Sequence, residues 1–310
     1  MYVSKTCLKR DSVRAFTLIE VIAASAVMVV LVGIVAFITS SIMSTWNRAS
    51  GKLVANAEAR LALDMIAQDL ETAFLSNNGQ QWLRVEQATF TDTTAPYTAA
   101  QSDSTILKLF APAVDRDNGD GICAIAYKLE YQPTYSSGSS TSSAPITYGL
   151  YRMVEDPVVT LRDYLSSRYD DPDTSAQGTL IGNGVAPADW SNSKITNVNN
   201  YLASNIVSFK VIIYDDSQTL PKNADANNSI TRSYAYGGKA EAGVVFTNDL
   251  LYADIILTVV TDEGAEMLTT RNIDGSAKRV IDLIPETAAE VVTQNGETLI
   301  RRVYFKSSPI

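Results

Sequence analysis

The decisive stretch is Phe16 to Ile38, FTLIEVIAASAVMVVLVGIVAFI, in which Glu20 is the only charged residue. The run from Val21 to Asn47 carries no charge over 27 residues. About 20 apolar residues suffice for a helix to cross a bilayer, so a spanning helix is predicted here. Upstream, MYVSKTCLKRDSVRA (Met1 to Ala15) sets Lys5, Lys9, Arg10 and Arg14 against Asp11, a net +3. Cationic flanks stay in the cytoplasm. The basic leader therefore predicts a cytoplasmic start, with everything beyond about Ile42 exported. A plain anchor or a cleavable secretory signal shares this outline. Glu20 sets the stretch apart. An acid at membrane depth costs up to about 3 kcal/mol on insertion scales and calls for a partner and a role.

The helix is predicted to continue past the membrane to about Phe74, since Ser44 to Ser76 holds no proline. Leu53, Val54, Ala57, Leu61, Met65, Ile66, Leu70, Ala73 and Phe74 recur at three- and four-residue spacing, the pattern of an amphipathic helix lying on a sheet. Gly33 and Gly51 are candidate bends, and Asn77-Asn78-Gly79 is the expected stop.

The string Arg14-Ala15-Phe16-Thr17-Leu18-Ile19-Glu20-Val21 resembles the class III signal of type IV pilins and pseudopilins. The resemblance implies a cut by prepilin peptidase between Ala15 and Phe16, with N-methylation of Phe16. Ala15 stands where the family has Gly. Glu20 becomes the fifth residue, an assembly residue that pairs with the α-amino group of a neighbouring subunit's Phe16. Either charge alone is expensive in a low-dielectric setting, and the two attract. Partners implied are other minor and major pilins or pseudopilins, the peptidase and an inner-membrane assembly platform.

From Gln80 onward the texture is β-like. Strands are predicted at Trp82–Phe90, Thr105–Ala111, Ile122–Tyr131, Ile146–Met153, Ile206–Tyr214, Ile230–Tyr236, Tyr252–Thr261 and Thr298–Phe305. Helices are predicted at Pro157–Arg168, Val198–Ser204 and Ala277–Val292, the last with Pro285 interfering. The expected fold class is α+β, a long N-terminal helix packed on an antiparallel sheet. Three divisions follow: leader 1–15, helix 16–76, and an exported domain 77–310 with long Ser/Thr/Asn-rich loops. The element order resembles minor pseudopilins of the J type and W-type minor pilins. The matching places are Arg60 to Phe74, Ile125-Ala126-Tyr127-Lys128-Leu129 before Leu150-Tyr151-Arg152, and the strands around Ile206 to Asp215 and Asp254 to Val260. Long pilin-like proteins of Verrucomicrobia and Planctomycetes that begin RAFTLIE are also similar.

Composition narrows the function. The chain has 310 residues, 46% of them apolar, and a net charge of −9. Removing a +3 leader leaves −12, so phosphate neutralisation is disfavoured and nucleic acid is not an expected partner. There is no histidine, which excludes His-based nucleophile triads and HExxH zinc sites. Neither a P-loop nor a GxSxG motif occurs, and no enzymatic activity is expected. Cys123 is left single once Cys7 leaves with the leader, so no disulfide is expected. Asp115, Asp117 and Asp120 form an acidic turn, DRDNGDG, with calcium as its candidate ligand. Its spacing departs from an EF-hand, which needs Gly at the sixth position and Glu at the twelfth; a tight turn explains the same residues. No other cofactor is expected. The expected function is a minor subunit of a type II secretion or type IV pilus-like filament, placed near the tip. The alternative is a pilus-borne adhesin or DNA-uptake module.

Overall fold

The computed structural model describes residues 17–76, 81–88, 103–113, 121–133, 146–165, 190–216, 221, 223–225, 227–231, 233–236, 249–268 and 285–305. The chain divides into two compact units, Met1–Ser50 and Gly51–Ile310. Helix α1 runs from Leu18 to Glu71 and contributes to both.

The second unit contains two antiparallel sheets. Strands β1 (Leu83–Gln87), β2 (Thr105–Pro112), β3 (Ile122–Pro133) and β4 (Ile146–Val154) pair in sequence. Two short edge strands, β5 (Tyr201–Ser204) and β7 (Tyr234–Tyr236), complete the order β5-β4-β3-β2-β1-β7. The second sheet is β6-β8-β9, built from Ile206–Asp215, Leu250–Val260 and Gly296–Tyr304. The α+β class and the antiparallel pairing expected from the sequence are both present. The chain steps from one sheet to the other at Asn205, whose φ is 57°. Asn tolerates this left-handed backbone better than most residues. Its side chain donates to Asp262 at 2.7 Å, and its carbonyl accepts from the Val260 N–H at 2.9 Å.

The core lies between α1 and the inner faces of both sheets. On α1 it takes Ala55, Ala59, Ala62, Leu63, Ile66, Ala67 and Leu70. The sheets contribute Leu107, Tyr127, Leu150, Phe209, Ile255 and Leu257 among others. This corrects the first half of the expected helix face, while Ile66, Leu70 and Ala73 of the expected stripe do pack on the core. Leu53, Val54, Ala57 and Leu61 are exposed. Two apolar stripes share the helix, and the alanine-rich one packs because the strands opposite already supply the bulky side chains. Polar anchors on both flanks fix the rotation. Glu58 accepts from the Ser204 hydroxyl at 2.6 Å on one side; on the other, Asn56 donates to Glu297 at 2.7 Å and Arg301 pairs with Asp64.

The helix ends at Glu71, three residues before the expected Phe74, because the Phe74 N–H leaves to bond the Phe110 carbonyl at 2.7 Å. The expected stop at 77–79 lies outside the described residues.

Three further expectations are corrected. Val198–Ser204 is not one helix: a 3-10 turn, Val198–Asn200, gives way to β5. The ring of Tyr201 lies over Gly149, where a Cβ would meet it at 2.6 Å, so glycine is required there. The helix expected at Pro157–Arg168 is, among the described residues, an α-helical turn Pro157–Val159 capped by Asp156 followed by the π-helical Thr160–Leu165, and 166–168 lie outside the described residues. Of the helix expected at Ala277–Val292, residues 277–284 lie outside the described residues; the described part is α3 (Pro285–Asn295), which runs three residues past the expected end and has Pro285 as its first described residue, a position where a helix needs no amide donor. Helix α2, Asp262–Leu268, was not expected; the Thr261 hydroxyl accepts from the Gly264 N–H at 3.2 Å and starts it.

Charged groups are buried on both faces of the larger sheet. On the inner face Asp69 of α1 meets Tyr127 of β3 and Arg152 of β4, which are direct cross-strand partners. The Tyr127 hydroxyl donates to Asp69 at 2.5 Å. Arg152 Nε lies 3.0 Å from Asp69 Oδ2 and Nη2 lies 3.2 Å from Oδ1. Burial and the Asp69 carboxylate hold the Tyr127 hydroxyl well above its usual pKa. On the outer face Lys128 and Glu130 pair at 2.5 Å with no exposed side-chain surface. Burial pulls the Lys128 pKa down, and Glu130 partly restores it.

Breaking a buried ion pair by removing one partner costs about 3–5 kcal/mol, whereas replacing both with apolar residues is often neutral. Arg152→Met is therefore expected to lower the unfolding free energy measured by urea titration by that amount, and the double variant Asp69→Leu/Arg152→Met to recover most of it.

Burial also raises the pKa of Tyr151, Tyr214, Tyr234 and Tyr236, and pushes Tyr201 up to about 12. A folded state that keeps these protons loses stability once the unfolded chain ionises, from pH about 10 upward. Lys128 acts with the opposite sign below about 10.5, but it is one group against six tyrosines. The melting temperature should fall steadily above pH about 10, and Tyr201→Phe should flatten part of that fall.

Candidate functional site

Helix α1 opens on a reciprocal cap. The Glu20 N–H donates to the Thr17 hydroxyl at 3.4 Å. In return Glu20 Oε2 accepts from the Thr17 N–H at 2.9 Å and from its hydroxyl at 3.1 Å. This is a capping box, in which Thr and an acid three residues later satisfy each other's orphan groups. The helix dipole adds a favourable field for an acid in the first turn. Thus Glu20 has local donors in its own helix, a role that sequence reasoning missed although Thr17-Leu18-Ile19-Glu20 carries the signature. Oε1 has no partner among the described residues.

From Leu18 to Trp46 the large apolar side chains are exposed, with Leu18 at 78% and Phe37 at 76%. The helix is long and apolar enough to cross a membrane. Four of its hydroxyls are turned back on the backbone: Ser25 donates to the Ile22 carbonyl and Thr39 to the Val35 carbonyl, both at 2.8 Å. Ser44 and Thr45 both donate to the Ser41 carbonyl at 2.9 Å. Each such group must be satisfied internally where no water is present.

The structure places the other sequence candidates as follows. Ala15 and Phe16 lie outside the described residues, as do Asp115, Asp117 and Asp120. Among the described residues no group of three or more Asp, Glu or Cys is gathered as a metal site would need. Asp215 is buried at the end of β6, and the Asp216 N–H bonds the Asp249 carbonyl at 3.1 Å, so this acid pair sits at a turn between strands. Cys123 is buried in β3 among core residues.

No protein-family model and no curated protein matches the chain. Among solved structures it is similar to a type IV-like pilin from Thermus thermophilus, with 10% identity and a TM-score of 0.35, over 81% of this chain and 95% of that one.

Loss of an N-cap hydroxyl costs about 0.5–2 kcal/mol of helix stability. In detergent micelles Thr17→Ala should accelerate hydrogen exchange at the Glu20 and Val21 amides, while Thr17→Ser should leave it close to the parent.

Proposed function

We propose that the chain is a minor pilin- or pseudopilin-like subunit, J-like or W-like in its order of elements, of a type II secretion or type IV pilus-like filament. The observation that carries this reading is the capped, exposed apolar first part of α1, residues 18–46, whose only acid, Glu20, is the fifth residue counted from Phe16, ahead of an antiparallel β unit. In this reading the subunit waits in the bacterial inner membrane with its leader in the cytoplasm and its β unit outside. Prepilin peptidase removes residues 1–15 and methylates Phe16.

The capping box divides the labour of the carboxylate. Oε2 stays with Thr17 and fixes the helix start. Oε1 is left to receive the freed amine of a neighbouring protomer's Phe16. A salt bridge in hydrocarbon then sets the axial register of one subunit on the next. A subunit that keeps this acid docks beneath another and is not the outermost one. Its role is structural, and no catalytic step is assigned to it.

The test separates cap from charge. Glu20→Gln retains an oxygen acceptor for Thr17 but cannot pair with an ammonium. It is expected to be inserted and trimmed normally yet recovered in filaments at least tenfold less than the parent. Mass spectrometry of the native protein should find an N-methylated Phe16 as the first residue. Normal incorporation of the Gln variant, or an untrimmed start, overturns the reading.

A further inference from the structure

Several buried polar side chains of the second unit are matched donor to acceptor. Along the outer edge of β6, Ser104 Oγ accepts from the Phe209 N–H at 3.3 Å, and Thr105 Oγ1 accepts from the Val211 N–H at 3.1 Å while donating to the Phe209 carbonyl at 3.3 Å. Asn223, fully buried, accepts from the Ile213 N–H at 2.9 Å and donates to the Val211 carbonyl at 2.7 Å. Arg152 reaches both oxygens of Asp69 and the Tyr127 hydroxyl.

Lys128 departs from this pattern. An ammonium carries three N–H donors. Among the described residues Lys128 Nζ has one acceptor, Glu130 Oε2, at 2.5 Å. Neither side chain has any exposed surface. The two meet because residues two apart on a strand share a face. Tyr151 stands directly opposite Lys128 on β4, and Gly149, opposite Glu130, lies under the Tyr201 ring. The two rings meet edge to face at 5.5 Å, so apolar ring surface borders the pair. Lys108, a second cation on this face, is taken up by Glu86 at 2.9 Å. Its charge adds to the cost of an ammonium at Lys128.

A buried ion pair is sustained only when its remaining donors and lone pairs are satisfied. With one acceptor for three donors, a neutral amine beside a neutral carboxylic acid is the less costly form. Those two groups are the reactants of an amide condensation, held in contact and out of solvent.

We infer that Lys128 and Glu130 condense into an amide, an internal cross-link between two side chains of β3. The Nζ lone pair adds to Glu130 Cδ, one bond beyond the oxygen that it already touches. The new N–C bond forms as one C–O bond of the carboxyl breaks. One amine proton leaves with the carboxyl OH as water, and the other stays on the amide. No electrons are transferred and no co-reactant is consumed. Effective molarities of about 10⁵–10⁸ M for well-placed intramolecular partners offset the unfavourable condensation of the same groups in water. Enclosure keeps water from reversing it. The product is uncharged, so the sheet no longer holds two buried charges. The site lies in the second unit and is independent of any filament reading.

The test is the tryptic peptide map of the full chain purified in detergent. Trypsin cuts after a free lysine but not after an acylated one. The majority of the chain should yield the peptide from Asp117 to Arg152 uncut at Lys128 and lighter by one water. Fragmentation should give no ions from cleavage between Lys128 and Glu130, and should place the loss in that interval. Lys128→Met should give the same peptide at full mass, and Glu130→Ala should restore cutting after Lys128. The parent peptide decides the matter even where a variant fails to fold. Complete cutting after Lys128 with every fragment at full mass overturns the inference. So does a water loss placed at Asp120-Gly121, where an aspartyl succinimide has the same mass. Retention of the loss in Lys128→Met or Glu130→Ala overturns it as well.

Discussion

The contact between Asp69, Arg152 and Tyr127 is the constraint from which the second unit takes its arrangement. Three elements distant in sequence each send one polar side chain into the same apolar core. None could be buried there alone, since an unpaired charge in that setting is far more costly than an unpaired apolar group. The three are satisfied together only when α1 lies at one rotation and one height against β3 and β4. Apolar packing constrains this weakly along the alanines at 55, 59 and 62, whereas Ile66 and Leu70, buried beside Asp69, reinforce the same placement. The polar contacts on either flank of the helix, a hydrogen bond from Ser204 to Glu58 and the ion pair of Arg301 with Asp64, are more exposed and worth less, so the buried contact selects and the flanks follow.

Much of this was legible in the chain, and the exceptions share a cause. Strand positions were readable because β2, β3, β4, β6, β8 and β9 are rich in β-branched and aromatic residues between turn formers. The apolar helix was readable because few residues suffice to identify a membrane-length run. The packed face of α1 was misread because the stripes through Leu53 and Leu61 and through Ala55 and Ala59 have the same period. Side-chain size favoured the first, but the space left by Tyr127 and Phe209 selected the second. Strand β5 was misread because its pairing to β4 is non-local and its four residues carry no pattern of their own. Lys128 and Glu130 sit at alternate positions that ordinarily mark a solvent face, yet both are fully buried.

At the head of α1 the position of Glu20 was legible but its local partner was not weighed. The Thr-x-x-Glu spacing belongs to helix starts in general. Within a membrane-length helix the same spacing lets a carboxylate enter the apolar layer with half of its hydrogen-bonding capacity already used. That lowers the penalty of waiting for a cation without removing the attraction to one.

The side chains that close the outer edge of β6 have a larger consequence than their energies suggest. A sheet with one joinable border can add a single strand and then stop. A sheet joinable at both borders can be extended from either side, and sheet-to-sheet stacking of that sort has no natural end point. Asn223, with Ser104 and Thr105, therefore removes the β6 border of the smaller sheet from that kind of growth. Three side chains that belong to no strand of that sheet do this by supplying the donors and acceptors a neighbouring strand would bring.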